Sequence, residues 1–480
     1  MFFNSILRKI SKSYYLTIFI LILAFFLRFY EFDKLGFWGD EYLTFWNTEP
    51  TLKYSDVFKR TLSSADLVPP FYYYILSLYN HLFEYSAYSL RLIHVIVGFL
   101  NIVLVFFISK FILSRPAINL VLFLLSINLF LIWCSTETRV VSFALFFQLL
   151  LILVFFINIK KLSFKINIIY YLLLFILNIV ALTIHPLSIV VIGAQILFLL
   201  LLVFQNHQNK RNIYYLISVI ILSCLFYIII NIDYFIWSLK GTRLGHNQLN
   251  LNFFIGYNFK HYFTSYILGF INLLIIFFSL LGLKKRFYEN SFISYLLIIF
   301  ILTYAFIILG TTFFTGLNGQ KYWSYLVPII VMINVYYLTV VKKNIITKII
   351  IIFLVVYSPY NFLQNIDKPQ VRKPDTHGLI KIFNESKINN IVSENYGMFE
   401  HYIENAYKNF NQKLISENDI ENLSNDFWYL CLDLSWDQTK GSYWDDMYDC
   451  SPKTVALIKH NKVQSIRLNG FVVSKYKFSD

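Results

Sequence analysis

The sequence predicts an α-helical polytopic membrane protein that ends in a small α/β domain outside the cytoplasm. Long apolar runs recur from residue 14 to residue 361, and runs of this length suit a bilayer. They are rich in Leu, Ile and Phe and lack strand-like alternation, which favours helices over an outer-membrane barrel. Only 14% of the residues are charged, against about 25% in a soluble globular chain.

The N-terminal stretch "MFFNSILRKISKSYYLTIFILILAFFLRFY" joins Arg8, Lys9 and Lys12 to an apolar run, as a signal peptide does. The run leads into "RFYEFDKLGFW", which has no small-residue cleavage site, so it is expected to stay as the first membrane helix. About eleven membrane helices are expected, over 12–29, 88–109, 117–134, 139–158, 166–184, 186–204, 212–231, 263–283, 291–310, 322–341 and 344–361. The break between the fifth and sixth rests on His185 and Pro186. With the N-terminus inside, six segments face the cytoplasm. Their basic residues are Arg8, Lys9, Lys12, Lys110, Arg115, Lys160, Lys161, Lys165, Lys210, Arg211, Lys284, Lys285, Arg286, Lys342, Lys343 and Lys348, against one acid, Glu289. An excess of Lys and Arg in cytoplasmic loops sets orientation. An odd number of helices then puts the C-terminal segment outside.

The net charge of +14 could suggest a nucleic-acid partner, but its distribution argues against one. Residues 366–480 hold 16 acids and 14 basic residues, whereas residues 1–365 hold 27 basic residues and 11 acids. The positive charge belongs to the membrane part, where topology explains it.

Eight of those 11 acids lie in the first external loop: Glu31, Asp33, Asp40, Glu41, Glu49, Asp56, Asp66 and Glu84. This loop, 31–87 within the membrane domain 1–361, is long enough to be functional. Its segment "PPFYYYILSLYNHLF" (69–83) starts with Pro and is too short to span, so it predicts a helix lying in the interface. Residues 362–480 predict the α/β domain. "GLIKIFNES" and "GMFEHYIENAYKNF" have helical periodicity, while "NNIVSE", "FWYLCLDL" and "VQSIRLNGFVVSKYKF" predict strands. The last contains Asn469 and Gly470, a hairpin turn pair. Cys134 and Cys224 lie in apolar helices as small buried hydrophobes. The compartment of Cys431 and Cys450 permits a disulfide between them.

Five constellations could carry chemistry on the external face. Asp40 and Glu41 sit between Trp38 and Trp46, aromatic anchors of headgroup depth. Such an acid pair can act as a base, hold a divalent metal, or be merely solvated. Asp66 precedes Pro69 and Pro70, where the helix dipole alone could account for it. Glu137 and Arg139 lie at the outer mouth of two helices and could simply pair. His185 is at another outer helix end, where packing is the plain alternative. Lys321 and Tyr322 stand before a late helix. A Lys with an Arg can hold a lipid phosphate, or it can snorkel.

Together these residues resemble glycosyltransferase family 39 and its relatives, the protein O-mannosyltransferases and the aminoarabinose transferases of lipid A. "GFWGDEYLTFW" resembles the family's acidic first-loop motif. "ADLVPPFYYYIL" resembles "D-x-H-P-P-L-Y-Y", and "YSLRLIHVIVGFL" resembles an "R-L-P-S" helix start. "STETRVVSFALF" resembles "S-x-E-A-R-x-Y-A-L". "TIHPLSIVVIGAQILFLL" resembles the His-containing helix pair, and "KYWSYLVPIIVMI" a late "R-Y-x-x-x-x-x-P" element. The resemblance covers about residues 14–345. Three positions depart from it: Val68, Val141 and Lys321 stand where the family has His or Lys, Tyr, and Arg.

The resemblance implies the GT-C fold. It also implies transfer of a sugar from a polyprenyl-phosphate donor to a lipid, glycan or protein acceptor, with inversion, on the external face of the plasma (inner) membrane. Carried over, Asp40 would be the base, with Glu41, Asp66 and Glu137 supporting it. Arg139, His185, Lys321 and Tyr322 would contact the donor phosphate. The four acids would also be the ligands of a divalent metal, whose use is left open. A transporter or flippase is the main alternative, but no Asp or Glu falls in the middle of an expected helix. An O-antigen ligase or polymerase would need a large late loop rich in Arg and His. Here residues 232–262 are short, with Arg243, His246 and His261.

Overall fold

The computed structural model describes residues 14–30, 32–33, 36–37, 39–63, 68–161, 168–205, 209–239, 256–281, 290–313, 320–341, 344–366, 375–393, 398–407, 410, 412–417, 420, 423–432, 460–468 and 471–478. Two compact units result: residues 1–30, 58–72 and 93–367, and residues 31–57, 73–92 and 368–480.

The helices in chain order are α1 (Tyr15–Phe29), α2 (Gly39–Asn47), α3 (Tyr54–Ser63), α4 (Pro70–Leu82), α5 (Ala87–Ser109), α6 (Arg115–Ser126), α7 (Leu129–Thr136), α8 (Val141–Lys160), α9 (Ile168–Ile184), α10 (Ser188–Phe204), α11 (Lys210–Ile230), α12 (Ile232–Leu239), α13 (Tyr266–Leu281), α14 (Ser291–Phe313), α15 (Leu326–Tyr336), α16 (Ile345–Asn365), α17 (Thr376–Glu385) and α18 (Met398–Ala406). Every stretch expected to span contains an apolar helix. Among the described residues five are long and apolar enough to cross a membrane, a sixth is a bent pair, and five more have 10–17 residues. Residues such as Ile229 on α11 and Ile352 and Val356 on α16 expose their apolar side chains. Water would not tolerate so much exposed apolar surface, whereas lipid does. This is an integral membrane protein.

The third expected helix, 117–134, is not one straight rod. Two helices, α6 and α7, meet at 59° instead. Asn128 caps the second, its side chain accepting from Leu131 N–H at 2.9 Å, which frees the chain from the α6 axis. Arg28, buried on α1, donates to Leu125 O and Ser126 O at 3.4 and 3.5 Å. Leu125 O also accepts from Asn128 N–H at 3.4 Å, so the guanidinium adds a donor at the helix end, where carbonyls run out of intrahelical partners. Where α5 passes α7, Gly98 lies so close to Ser135 that a Cβ would stand 2.1 Å from the Ser135 Cβ. A glycine is required there. Pro186 divides α9 from α10 as expected, since it has no N–H to continue the ladder. Side-chain amides bond across the apolar core. Asn334 donates to Asn272 Oδ1 at 2.7 Å, and Asn178 to Ser223 Oγ at 3.0 Å. Such bonds satisfy polar groups that lipid cannot.

In the second unit, five strands form one sheet: β1 (Asn390–Ser393), β2 (Lys413–Ser416), β3 (Phe427–Leu432), β4 (His460–Leu468) and β5 (Phe471–Phe478). Their order is β2-β1-β3-β5-β4. β1 runs parallel to β2 and β3, and β5 antiparallel to β3 and β4. The short strand "KLIS" of β2 has no counterpart among the expected elements, nor do α2 and α3. Leu468 pairs with Phe471, so Asn469 and Gly470 are the two linking residues; they lie outside the described residues. Alternation along β3 puts Phe427, Tyr429 and Cys431 into one core with Val392 and Ile415. On the other face Trp428 Nε1 donates to Ser386 Oγ at 2.8 Å, beside Phe383 of α17. Cys431 is disulfide-bonded, and Cys134 and Cys224 are free. Cys450 lies outside the described residues.

Candidate active site

Asp40 and Glu41 open α2, in the second unit. Carboxylates suit a helix N-terminus, where unsatisfied N–H groups carry partial positive charge. The two acids have different surroundings. Asp40 is half-buried, and Glu41 is fully buried. Glu41 Oε2 accepts from Arg91 at 3.3 Å, with the arginine side chain only 2% exposed. The same guanidinium donates to Gly36 O at 2.7 Å and covers the Phe37 ring at 4.8 Å. Arg91 sits in the first turns of α5, so the ion pair fixes the start of α2 against the helix after the loop. Trp46 is half-buried on α2. Trp38 and Asp66 lie outside the described residues.

The other expected site residues belong to the first unit. Glu137 ends α7 as its C-cap, its N–H donating to Trp133 O. Its carboxylate is fully buried, and Oε1 accepts from Lys321 Nζ at 3.1 Å. Lys321 stands in a single 3₁₀ turn, Gln320–Trp323, before α15. Arg139 is buried, and its N–H donates to Glu137 O at 2.8 Å, which tightens the turn between α7 and α8. His185 lies between α9 and α10 with its ring 5.3 Å from that of Tyr322. Burial pushes its imidazole down to about 4, so near neutral pH it offers hydrogen bonds and no charge. Its Nδ1 and Glu137 Oε2 are buried atoms without a hydrogen-bond partner among the described residues. A buried polar atom in that state is costly and marks a place for a polar ligand.

The structure thus pairs Glu41 with Arg91, Glu137 with Lys321, and His185 with Tyr322. Among the described residues no three acids, histidines or cysteines form a group fit for a metal ion. Of the four acids considered as ligands, Glu41 and Glu137 each face a cation. Arg91, the buried partner of Glu41, is the residue near the candidate acids that sequence reasoning does not single out. Its signal is present: a lone Arg at the start of an apolar helix, just after an acid-rich loop.

Residues 67–230 match the family described as dolichyl-phosphate-mannose-protein mannosyltransferase. No curated protein matches at the level of sequence. Solved structures match along most of the chain. The apo oligosaccharyltransferase of Archaeoglobus fulgidus gives a TM-score of 0.54 at 11% identity, over 88% of this chain and 70% of the other. The same organism's AglB, with an inhibitory peptide and a dolichol-phosphate, gives 0.52 at 11%, over 85% and 70%. ArnT from Cupriavidus metallidurans, bound to undecaprenyl phosphate, gives 0.50 at 11%, over 96% and 98%. The fold is GT-C. The sequence led to the same fold through its acidic first-loop motif and helix order.

Proposed function

We propose that this GT-C protein is a membrane glycosyltransferase that moves a sugar from a polyprenyl-phosphate donor to a hydroxyl acceptor on the extracytoplasmic face. The acceptor is a lipid, glycan or protein. The observation that carries the reading is the fold shared with ArnT over nearly the full length of both chains, joined to the match of residues 67–230. The basic tally of the cytoplasmic segments supports the orientation, with α4 in the interface.

In the proposed reaction the acceptor oxygen attacks the anomeric carbon from the side opposite the phosphate. The new C–O bond forms as the bond to the phosphate oxygen breaks, which inverts the anomeric centre. The acceptor proton passes to Asp40, and the polyprenyl phosphate leaves as the anion. Arg139 and Lys321 meet its charge, and His185 and Tyr322 contribute hydrogen bonds. Glu137 orients Lys321. Glu41 acts on Asp40's surroundings through Arg91. A divalent metal, where one is used, would neutralise the leaving phosphate.

Comparative mass spectrometry of glycolipids and glycans, in cells with and without the gene, tests the reading. A product lacking one sugar in the deleted cells is expected. Identical profiles would refute it.

A further inference from the structure

The second unit joins the first external loop to the C-terminal domain, and the contacts between them include α2, its approach and Tyr85. Tyr402 of α18 is fully buried and touches three loop rings. It stacks on Phe37 at 5.2 Å, tilts against Tyr42 at 4.8 Å, and meets Phe45 edge-on at 5.5 Å. Gly36 lies so close to Thr376 of α17 that a Cβ would stand 1.9 Å from the Thr376 Oγ1. Any side chain there would drive the loop off the domain.

Two hydrogen-bond chains run through the same contacts, and their ends fix their direction. A carbonyl can only accept, so His377 Nε2 donates to Asp33 O at 3.2 Å. In the neutral ring Nδ1 then accepts from the Tyr407 hydroxyl at 3.4 Å. With that proton used, Tyr407 receives the Tyr402 hydroxyl at 3.4 Å, and Tyr402 Oη accepts from Phe37 N–H at 3.5 Å. In the second chain Tyr85 donates to Phe45 O at 2.7 Å. His401 Nε2 therefore donates to Tyr85 Oη at 2.9 Å, and Asn405 donates to His401 Nδ1 at 3.4 Å. One chain begins and ends on the approach to α2; the other ends on Phe45, in the last turn of α2.

We propose that the C-terminal domain is the template that positions Asp40, and that Tyr402 is its principal positioning residue. The inference rests on Asp40 being the base of the proposed transfer, but its structural half can be measured separately. Removing the Tyr402 ring loosens α2 without touching an acid. A shift of about 1 Å in a reacting group can cost on the order of a hundredfold in rate. Donor binding does not draw on these contacts.

The test compares Tyr402→Ala and Tyr402→Phe in the full chain, in lipid nanodiscs, by hydrogen exchange and by transfer kinetics. In Tyr402→Ala, exchange over residues 36–47 is expected to rise at least tenfold, with the helices of the first unit unchanged. kcat falls by on the order of a hundredfold, with the donor KM within twofold. Tyr402→Phe keeps the ring and restores both to within a few-fold. Unchanged exchange at 36–47 in Tyr402→Ala would overturn the proposal. So would raised exchange with wild-type kcat. If the wild-type protein transfers no sugar, the proposed function fails, and the exchange measurement still decides whether the domain holds α2.

Discussion

Replacing Glu41 by Leu should be among the most damaging single changes in the second unit, and the reason is electrostatic. The Glu41 side chain is 0% exposed and that of Arg91 2% exposed, with 3.3 Å between them. Removing one partner of a buried pair strands the other charge and costs about 3–5 kcal/mol. At roughly 2–4 °C per kcal/mol for a unit of this size, the melting point should drop by on the order of 10 °C. Arg91→Met should cost as much, since it also takes a donor from Gly36 O and a cation from the Phe37 ring. The double replacement leaves no stranded charge, so it should lie closer to wild type than either single variant. Thermal unfolding of the four proteins in nanodiscs, read as a double-mutant cycle, gives the coupling. A single-variant cost below about 1 kcal/mol is the value of an exposed pair. That result, or additive effects, would refute a structural role for this pair.

Lys321→Met should weaken both donor use and stability, because it leaves Glu137 buried and unpaired. The pair Lys321→Met with Glu137→Leu should recover the stability and not the transfer, as melting points and transfer rates will report. Because the His185 imidazole is neutral near pH 7, His185→Gln should retain more transfer than His185→Ala, and donor KM should separate the two. Asn128→Ala removes the α7 cap and should lower the melting point by the equivalent of about 1 kcal/mol. A cysteine introduced at Thr51, in the loop just beyond α2, should react with an impermeant thiol reagent added to intact cells. Reaction only after permeabilisation would reverse the orientation.

Much of the fold was legible because hydrophobic runs and basic clusters act locally. Each expected span contains an apolar helix, and most strands of the C-terminal sheet lie where alternation put them. The bend between α6 and α7 was hidden inside one continuous apolar run. That run is broken by Asn128 capping and Arg28 reaching across from α1, and no local pattern reports a contact between residues 98 positions apart. The strand "KLIS" was missed for a similar reason. Four residues carry little periodicity, and it forms by pairing with β1. Asp40 was legible as an acid in an aromatic loop. The sequence could not tell that Glu41 is spoken for by Arg91, or that Tyr402 and His401 hold α2, since those partners are brought together only by the fold.

In the proposed reaction Asp40 has one role, to remove the acceptor proton. Its most direct test is the transfer rate of Asp40→Asn, reconstituted in vesicles with the polyprenyl-phosphate sugar and the acceptor that mass spectrometry of the deleted cells identifies. Asn keeps the size and helix position of Asp but cannot take the proton, and general bases contribute about 10²–10⁴-fold. The rate should fall by that factor, with wild-type folding by melting point and unchanged donor KM. Transfer near the wild-type rate would contradict the account.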